Sequence, residues 1–127
     1  MTAAERLNGL RVLVIEDETL LSMLLEDMLS ELGCVIAGSA STVASALKAV
    51  DATAAGAAVL DLNLGGEKSD AVAEQLAARG VPFVVATGYG DDRVPDPWRN
   101  RPILQKPFGQ EQLARALTRA IENQSRP

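Results

Sequence analysis

The chain has 127 residues, 47% of them hydrophobic and 23% charged, which suits one folded domain with a core and departs from the signature of disorder. Twelve basic against 17 acidic side chains leave a formal charge of -5, a field that opposes polyanions and argues against nucleic acid as a direct partner. No apolar run approaches the roughly 18 residues of a membrane span and no basic segment leads into a hydrophobic one near the start, so one cytoplasmic domain over residues 1–127, with no membrane partner, is expected.

Residues 11–15 (RVLVI) read as a first strand, and Glu16 and Asp17 follow it. Leu20, Leu21, Leu24, Leu25, Met28 and Leu32 then recur at three- and four-residue spacings, which predicts one apolar helix face packed in the core. Gly33 is placed to cap that helix. The single cysteine, Cys34, lies in the apolar run CVIA and is expected as a buried thiol with no disulfide partner. Residues 35–38 read as a second strand. The hydroxyls from Ser39 to Thr42 offer caps to a helix carrying Val43, Ala46, Leu47 and Val50.

Residues 57–60 (AAVL) form a third strand ending at Asp61, Gly65 and Gly66 break the chain, and a helix over residues 70–79 is closed by Gly80. Residues 81–86 make a fourth strand before Thr87, with Pro82 tolerated at its start. The alternation then fails: residues 88–102 hold three prolines and two glycines and no apolar stripe, so a loop or one short helical turn is predicted. A brief strand at Ile103 and Leu104 precedes Lys106, and residues 110–123 carry Leu113, Leu117, Ala120 and Ile121 on one face of a last helix. Near-continuous hydrophobicity in the strands implies that both sheet faces are covered, as in a doubly wound parallel α/β sheet.

In such a sheet the groups after each strand emerge at one edge, where ligands bind. Glu16, Asp17 and Asp61 would gather there, and two unit charges 4 Å apart repel by roughly 4 kcal/mol at an effective dielectric of 20. A hard divalent cation such as Mg²⁺, with its preference for oxygen ligands, and the ammonium of Lys106 answer that charge. Asp61 at a strand end suits a nucleophile for phosphorus. Each segment alone has a plainer reading, since strand-end acids often cap helices and a lone lysine is usually solvated; the four in order point to a site.

Together they resemble the receiver domain of bacterial two-component response regulators, over essentially the whole chain. Residues 12–18 (VLVIEDE) look like the acid-pocket strand, 59–63 (VLDLN) like the phosphoacceptor strand, 86–88 (ATG) like the hydroxyl switch, and 105–108 (QKPF) like the lysine motif. The resemblance implies a flavodoxin-like five-stranded sheet of order 2-1-3-4-5, and a phosphoryl group received on Asp61 from a histidine kinase. It further implies Mg²⁺ held by Asp17 directly, by Glu16 through water, by Asp61 and by the Asn63 backbone carbonyl. Thr87 and Lys106 would hold phosphoryl oxygens, and the Lys106–Pro107 bond would be cis. Such a domain is no enzyme in the ordinary sense, although it assists its own phosphorylation and dephosphorylation.

Receivers commonly carry Phe or Tyr three residues before the lysine; Ile103 stands there and has no ring to swing. Residues 85–90 (VATGYG) resemble the FAT GUY subgroup, whose fourth helix is replaced by a mobile segment. That resemblance implies that phosphorylation orders residues 88–101, beginning at Gly88, with Tyr89 either covering the phosphoryl group or packed on the surface. Trp98 reads as a loop anchor or partner contact. The expected function is a single-domain response regulator. Its kinase partner would be of the HWE type that accompanies the subgroup, and its output would run through a phosphotransfer or effector protein as relay, sink or inhibitor. The alternatives are a receiver-like binding module that is never phosphorylated, a Mg²⁺-dependent phosphohydrolase, which would want an acid where Asn63 stands, and an FMN carrier, whose phosphate Glu16, Asp17 and Glu18 would repel.

Overall fold

A computed structural model of the chain describes residues 2–88, 94 and 96–125. In chain order its elements are α1 (Ala3–Leu7), β1 (Arg11–Ile15), α2 (Thr19–Glu31), β2 (Val35–Ala40), α3 (Val43–Ala52), β3 (Ala57–Asp61), β4 (Asn63–Leu64), β5 (Glu67–Lys68), α4 (Asp70–Ala78), β6 (Phe83–Thr87), a 3-10 turn (Asp96–Trp98), β7 (Ile103–Gln105) and α5 (Gln110–Ser125). Five of the strands form one parallel sheet in the order β2-β1-β3-β6-β7, and β4 and β5 pair as a separate antiparallel hairpin. This is the flavodoxin-like order expected for the chain, with a hairpin inserted after its third strand.

Alternation along each strand splits the core between the two sheet faces. Leu13, Ile15, Ala58, Leu60, Phe83 and Val85 pack with side chains of α3 and α4. Val12, Val14, Ala57, Val59, Val84 and Ala86 pack on the other face with side chains of α1, α2 and α5. Every residue of β3 and β6 is buried, which is why those strands are written in apolar residues, without a polar alternation, up to the Asp61 and Thr87 that end them.

Local chemistry sets the boundaries. Thr42 caps α3, its hydroxyl accepting from the Ser45 N–H at 3.0 Å. Gly33 follows α2 at φ +89°, a left-handed conformation that selects glycine. Cys34 is buried and desolvation raises its thiol pKa, in keeping with a core role.

Three expectations are corrected. Strand β2 continues to Ala40 rather than stopping at residue 38, because Ala40 still pairs with Ile15 beyond a register shift opposite Val12 and Leu13. Helix α1 was not foreseen; its sign is the Thr2/Glu5 capping box, on a helix too short to display a stripe. The α2 stripe is also turned: Ser22, Leu25 and Leu29 are buried, whereas Leu20 and Leu24 are 72% and 50% exposed. Leucines at two adjacent positions per turn span too wide an arc to share one face, and packing on β1 and β2 selects which of them go inside.

Between β6 and β7 the described residues contain one 3-10 turn instead of a helix, as predicted. Trp98 anchors it, packing edge-on against Phe83 with ring centroids 5.8 Å apart, and Val94 joins the same cluster. Truncating Trp98 to Ala should therefore cost about 3–5 kcal/mol, read as a lower urea midpoint at unchanged slope; a change within about 0.5 kcal/mol would mean that the ring is not part of the core.

Candidate functional site

Parallel strands deliver their carboxyl ends to one edge, and the chain leaves each of them in register. The Glu16 N–H bonds Ala40 O at 3.0 Å, the Leu62 N–H bonds Ala86 O at 3.1 Å and the Lys106 N–H bonds Thr87 O at 2.9 Å. The first residues past β1, β3 and β7 are thus held as continuations of the sheet. Carboxylate oxygens of Glu16, Asp17 and Asp61 lie within 4.8 Å of one another. Lys106 Nζ bridges two of them, 2.8 Å from Glu16 Oε1 and 2.9 Å from Asp61 Oδ2.

The electrostatics follow from burial. Glu16 is 4% exposed, and desolvation, helped by the neighbouring Asp61, pushes its carboxyl up to about 7 despite bonds from Lys106 and the Glu18 N–H. Burial works against the Lys106 charge as well, but its bonds to Glu16 and Asp61 outweigh that and raise its pKa. Asp17 is more open; desolvation is the largest single influence on it and raises its pKa, but hydrogen bonds together, led by the Gly65 N–H, outweigh that and hold it below its usual value. One ammonium does not neutralise three carboxylates. An all-oxygen donor set with a surplus of negative charge, one member of it pushed toward protonation, fits a hard divalent cation such as Mg²⁺.

Protonation of Glu16 carries a stability signature without metal. Between its ordinary value of 4.5 and about 7 the folded protein holds a proton that the unfolded chain releases. This contribution is therefore complete below the lower value and lost as pH rises through the upper one. Raised Lys106 and lowered Asp17 titrate outside that window in the folded state. Urea unfolding in a metal chelator should accordingly show stability declining from pH 5 to pH 7.5, with the decline reduced in Glu16→Gln; an identical slope in that variant would remove Glu16 as its source.

A hairpin completes the arrangement. Gly65 and Gly66 have φ of +59° and +89°, as a type I′ turn requires at both central positions. That turn aims the Gly65 N–H at Asp17 Oδ2, 3.0 Å away. Asn63 Oδ1 accepts from the Gly66 N–H at 3.0 Å, and the Asn63 N–H donates to Asp61 Oδ1 at 3.2 Å. Six residues thereby orient carboxylates from two strands. The sequence reading took the glycine pair as a break only; Gly-Gly as a two-residue loop was the available hairpin signal.

Asp17, Asp61, Asn63, Gly66, Gly88 and Lys106 line an open cleft of about 290 Å³. Thr87 ends β6 beside it, 3% exposed, one residue past the Asp61–Ala86 pairing. The Lys106–Pro107 bond is cis. Ile103 pairs with Val85 at the start of β7 and is 45% exposed, so it lies on the surface and not in the site. Tyr89 lies outside the described residues. No helix among the described residues is long and apolar enough to cross a membrane.

A family model described as "Response regulator receiver domain" matches residues 12–118. Among solved structures, that of SdrG from Sphingomonas melonis Fr1 is similar at 48% identity and TM-score 0.81, over 96% of this chain and 99% of that one. The receiver domain of PhyR from Erythrobacter litoralis is similar at 31% identity and TM-score 0.78, over 96% and 97%. PhyR from Brucella abortus is similar at 26% identity and TM-score 0.80, over 95% of this chain but 51% of its own length. No curated protein sequence matches.

Proposed function

The chain belongs to the response regulator receiver domain family of two-component signalling, and from that membership we propose that it is a Mg²⁺-dependent phosphoacceptor whose Asp61 takes a phosphoryl group from a histidine kinase. The observation that carries the reading is Asp61 itself: a carboxylate 5% exposed, with one oxygen on Lys106 at 2.9 Å and the other on the Asn63 N–H at 3.2 Å, beside two further carboxylates. Receiver domains are signalling modules, so the product is a state of the protein and not a released compound.

In this reading an Asp61 oxygen attacks the phosphorus of the donor phosphohistidine. The P–N bond breaks, the imidazole leaves with that electron pair, and the chain is left as an aspartyl phosphate. Asp17, Asp61, the Asn63 carbonyl and, through water, Glu16 would hold Mg²⁺, which when bound supplies positive charge to the phosphoryl oxygens. Lys106 and the Thr87 hydroxyl hold the remaining oxygens. The Gly65 N–H keeps Asp17 turned toward the cleft, and the cleft leaves one side of Asp61 open to a donor.

Asn63 argues against the phosphohydrolase alternative, because its amide oxygen is taken by the hairpin and an amide is no useful proton donor. Likeness to SdrG over nearly its whole length, and to SdrG solved in a BeF₃-activated conformation at 50% identity, supports a single-domain regulator whose output is protein binding or phosphate relay. The test is intact mass after incubation with Mg²⁺ and acetyl phosphate, and separately with a phosphorylated histidine kinase of the HWE type. A phosphoryl-sized gain that a chelator prevents is expected. No gain from either donor would leave a receiver-like binding module instead.

A further inference from the structure

Loss of water works against the charge of two basic side chains, Lys106 and Arg101. Lys106 is answered by two carboxylates. For Arg101, the guanidinium carbon lies 4.4 Å above the Phe83 ring centroid, and no carboxylate pairs with it among the residues whose side chains are described. In a chain with five more acids than bases, a half-buried cation with no carboxylate partner among the described side chains stands out.

Arg101 opens onto a cleft of about 310 Å³ that shares no residue with the phosphoryl site. Phe83, at its base, begins β6, and Thr87 ends it; at about 3.3 Å per residue the two sites stand at opposite edges of the sheet, roughly 13 Å apart along the strand. Buried Phe83, Pro102 and Ala120 make an apolar floor. Asn100 and Asn123 line the cleft as well. The Arg101 N–H bonds Trp98 O at 3.0 Å, so the arginine's backbone is tied to the 3-10 turn.

We propose that this cleft is a second ligand site that binds a monovalent carboxylate on a short apolar skeleton. A guanidinium whose carbon sits 4.4 Å from a ring centroid presents N–H groups as a fork matched to two carboxylate oxygens, and asparagine amides at the cleft add donors. A single cation within a negative overall field favours one charge over the two of a phosphate monoester. The apolar floor takes the carbon skeleton, and the cleft has the size of small-ligand pockets. A free organic acid and an acidic side chain of a partner protein carry the same chemistry.

The experiment is an amide and arginine NMR titration of the whole chain with three probes: N-acetylleucine, the peptide acetyl-Leu-Glu-Leu-amide, and the neutral N-acetylleucine amide. Saturable shifts at the Arg101 Nε–H and at the Asn100 and Asn123 side-chain amides are expected with at least one carboxylate probe and not with the neutral one. Tighter binding of the free acid identifies a small-molecule source, and tighter binding of the peptide a protein source. Arg101→Met, which keeps a flexible stem over Phe83, should weaken binding by about tenfold or more. Equal shifts from the neutral probe, equal binding by Arg101→Met, or no saturation at these residues with either acid overturns the proposal. The charged-against-neutral comparison is made on the parent chain, so it stands even where the variant fails to fold.

Discussion

Asp61→Asn should abolish the phosphoryl-sized mass gain that the parent shows after incubation with Mg²⁺ and acetyl phosphate. The substitution conserves volume at a site 5% exposed, and an amide oxygen can still accept the Asn63 N–H, now at 3.2 Å. What disappears is the charged oxygen on Lys106, and with it the nucleophile; Lys106 keeps its bond to Glu16 at 2.8 Å. The fold is therefore expected to survive, which circular dichroism and a cooperative unfolding transition would check. A variant that folds and still gains the mass would move the acceptor to another residue and overturn the assignment of Asp61.

Asp17→Asn should remove the stabilisation that Mg²⁺ gives the parent. A ligand that binds only the folded state adds about 2.7 kcal/mol at a hundredfold excess over Kd, on the order of 10 °C in Tm for a domain of this size. Asparagine retains an oxygen for the Gly65 N–H, now 3.0 Å from Asp17 Oδ2, so the hairpin stays tied and the comparison isolates the charge. Thermal unfolding with Mg²⁺ and with a chelator should give a large difference for the parent and little for the variant. An equal Mg²⁺ increment in both would show that the cation is held without Asp17.

Much of the site is legible in the chain because its members sit where runs of apolar residues end. Glu16, Asp17, Asp61, Thr87 and Lys106 each close or follow a strand, and residues 12–118 match the receiver family model. The residues that orient them are less visible. Gly65 acts through its backbone N–H, and a backbone donor has no residue-type signature beyond the glycine that frees its turn. Helix α2 misled for another reason: a periodicity records how many apolar residues a helix has, and Leu20 and Leu24 show that it does not say which of them the sheet covers.

By itself the chain determined the alternation of strand and helix, the short turn in place of a helix among the described residues between β6 and β7, and the identity of the groups at the sheet's carboxyl edge. Those are local properties, written as apolar runs, glycine and proline stops, and the residues that follow them. Tertiary structure decided the rest. It set Lys106 between Glu16 and Asp61, bonded Gly65 to Asp17, packed Trp98 edge-on against Phe83, and left Arg101 on that ring with no carboxylate partner among the described side chains. Each of these joins residues of different elements, and whether a charge is answered or stranded depends on which elements meet and how much water their meeting expels.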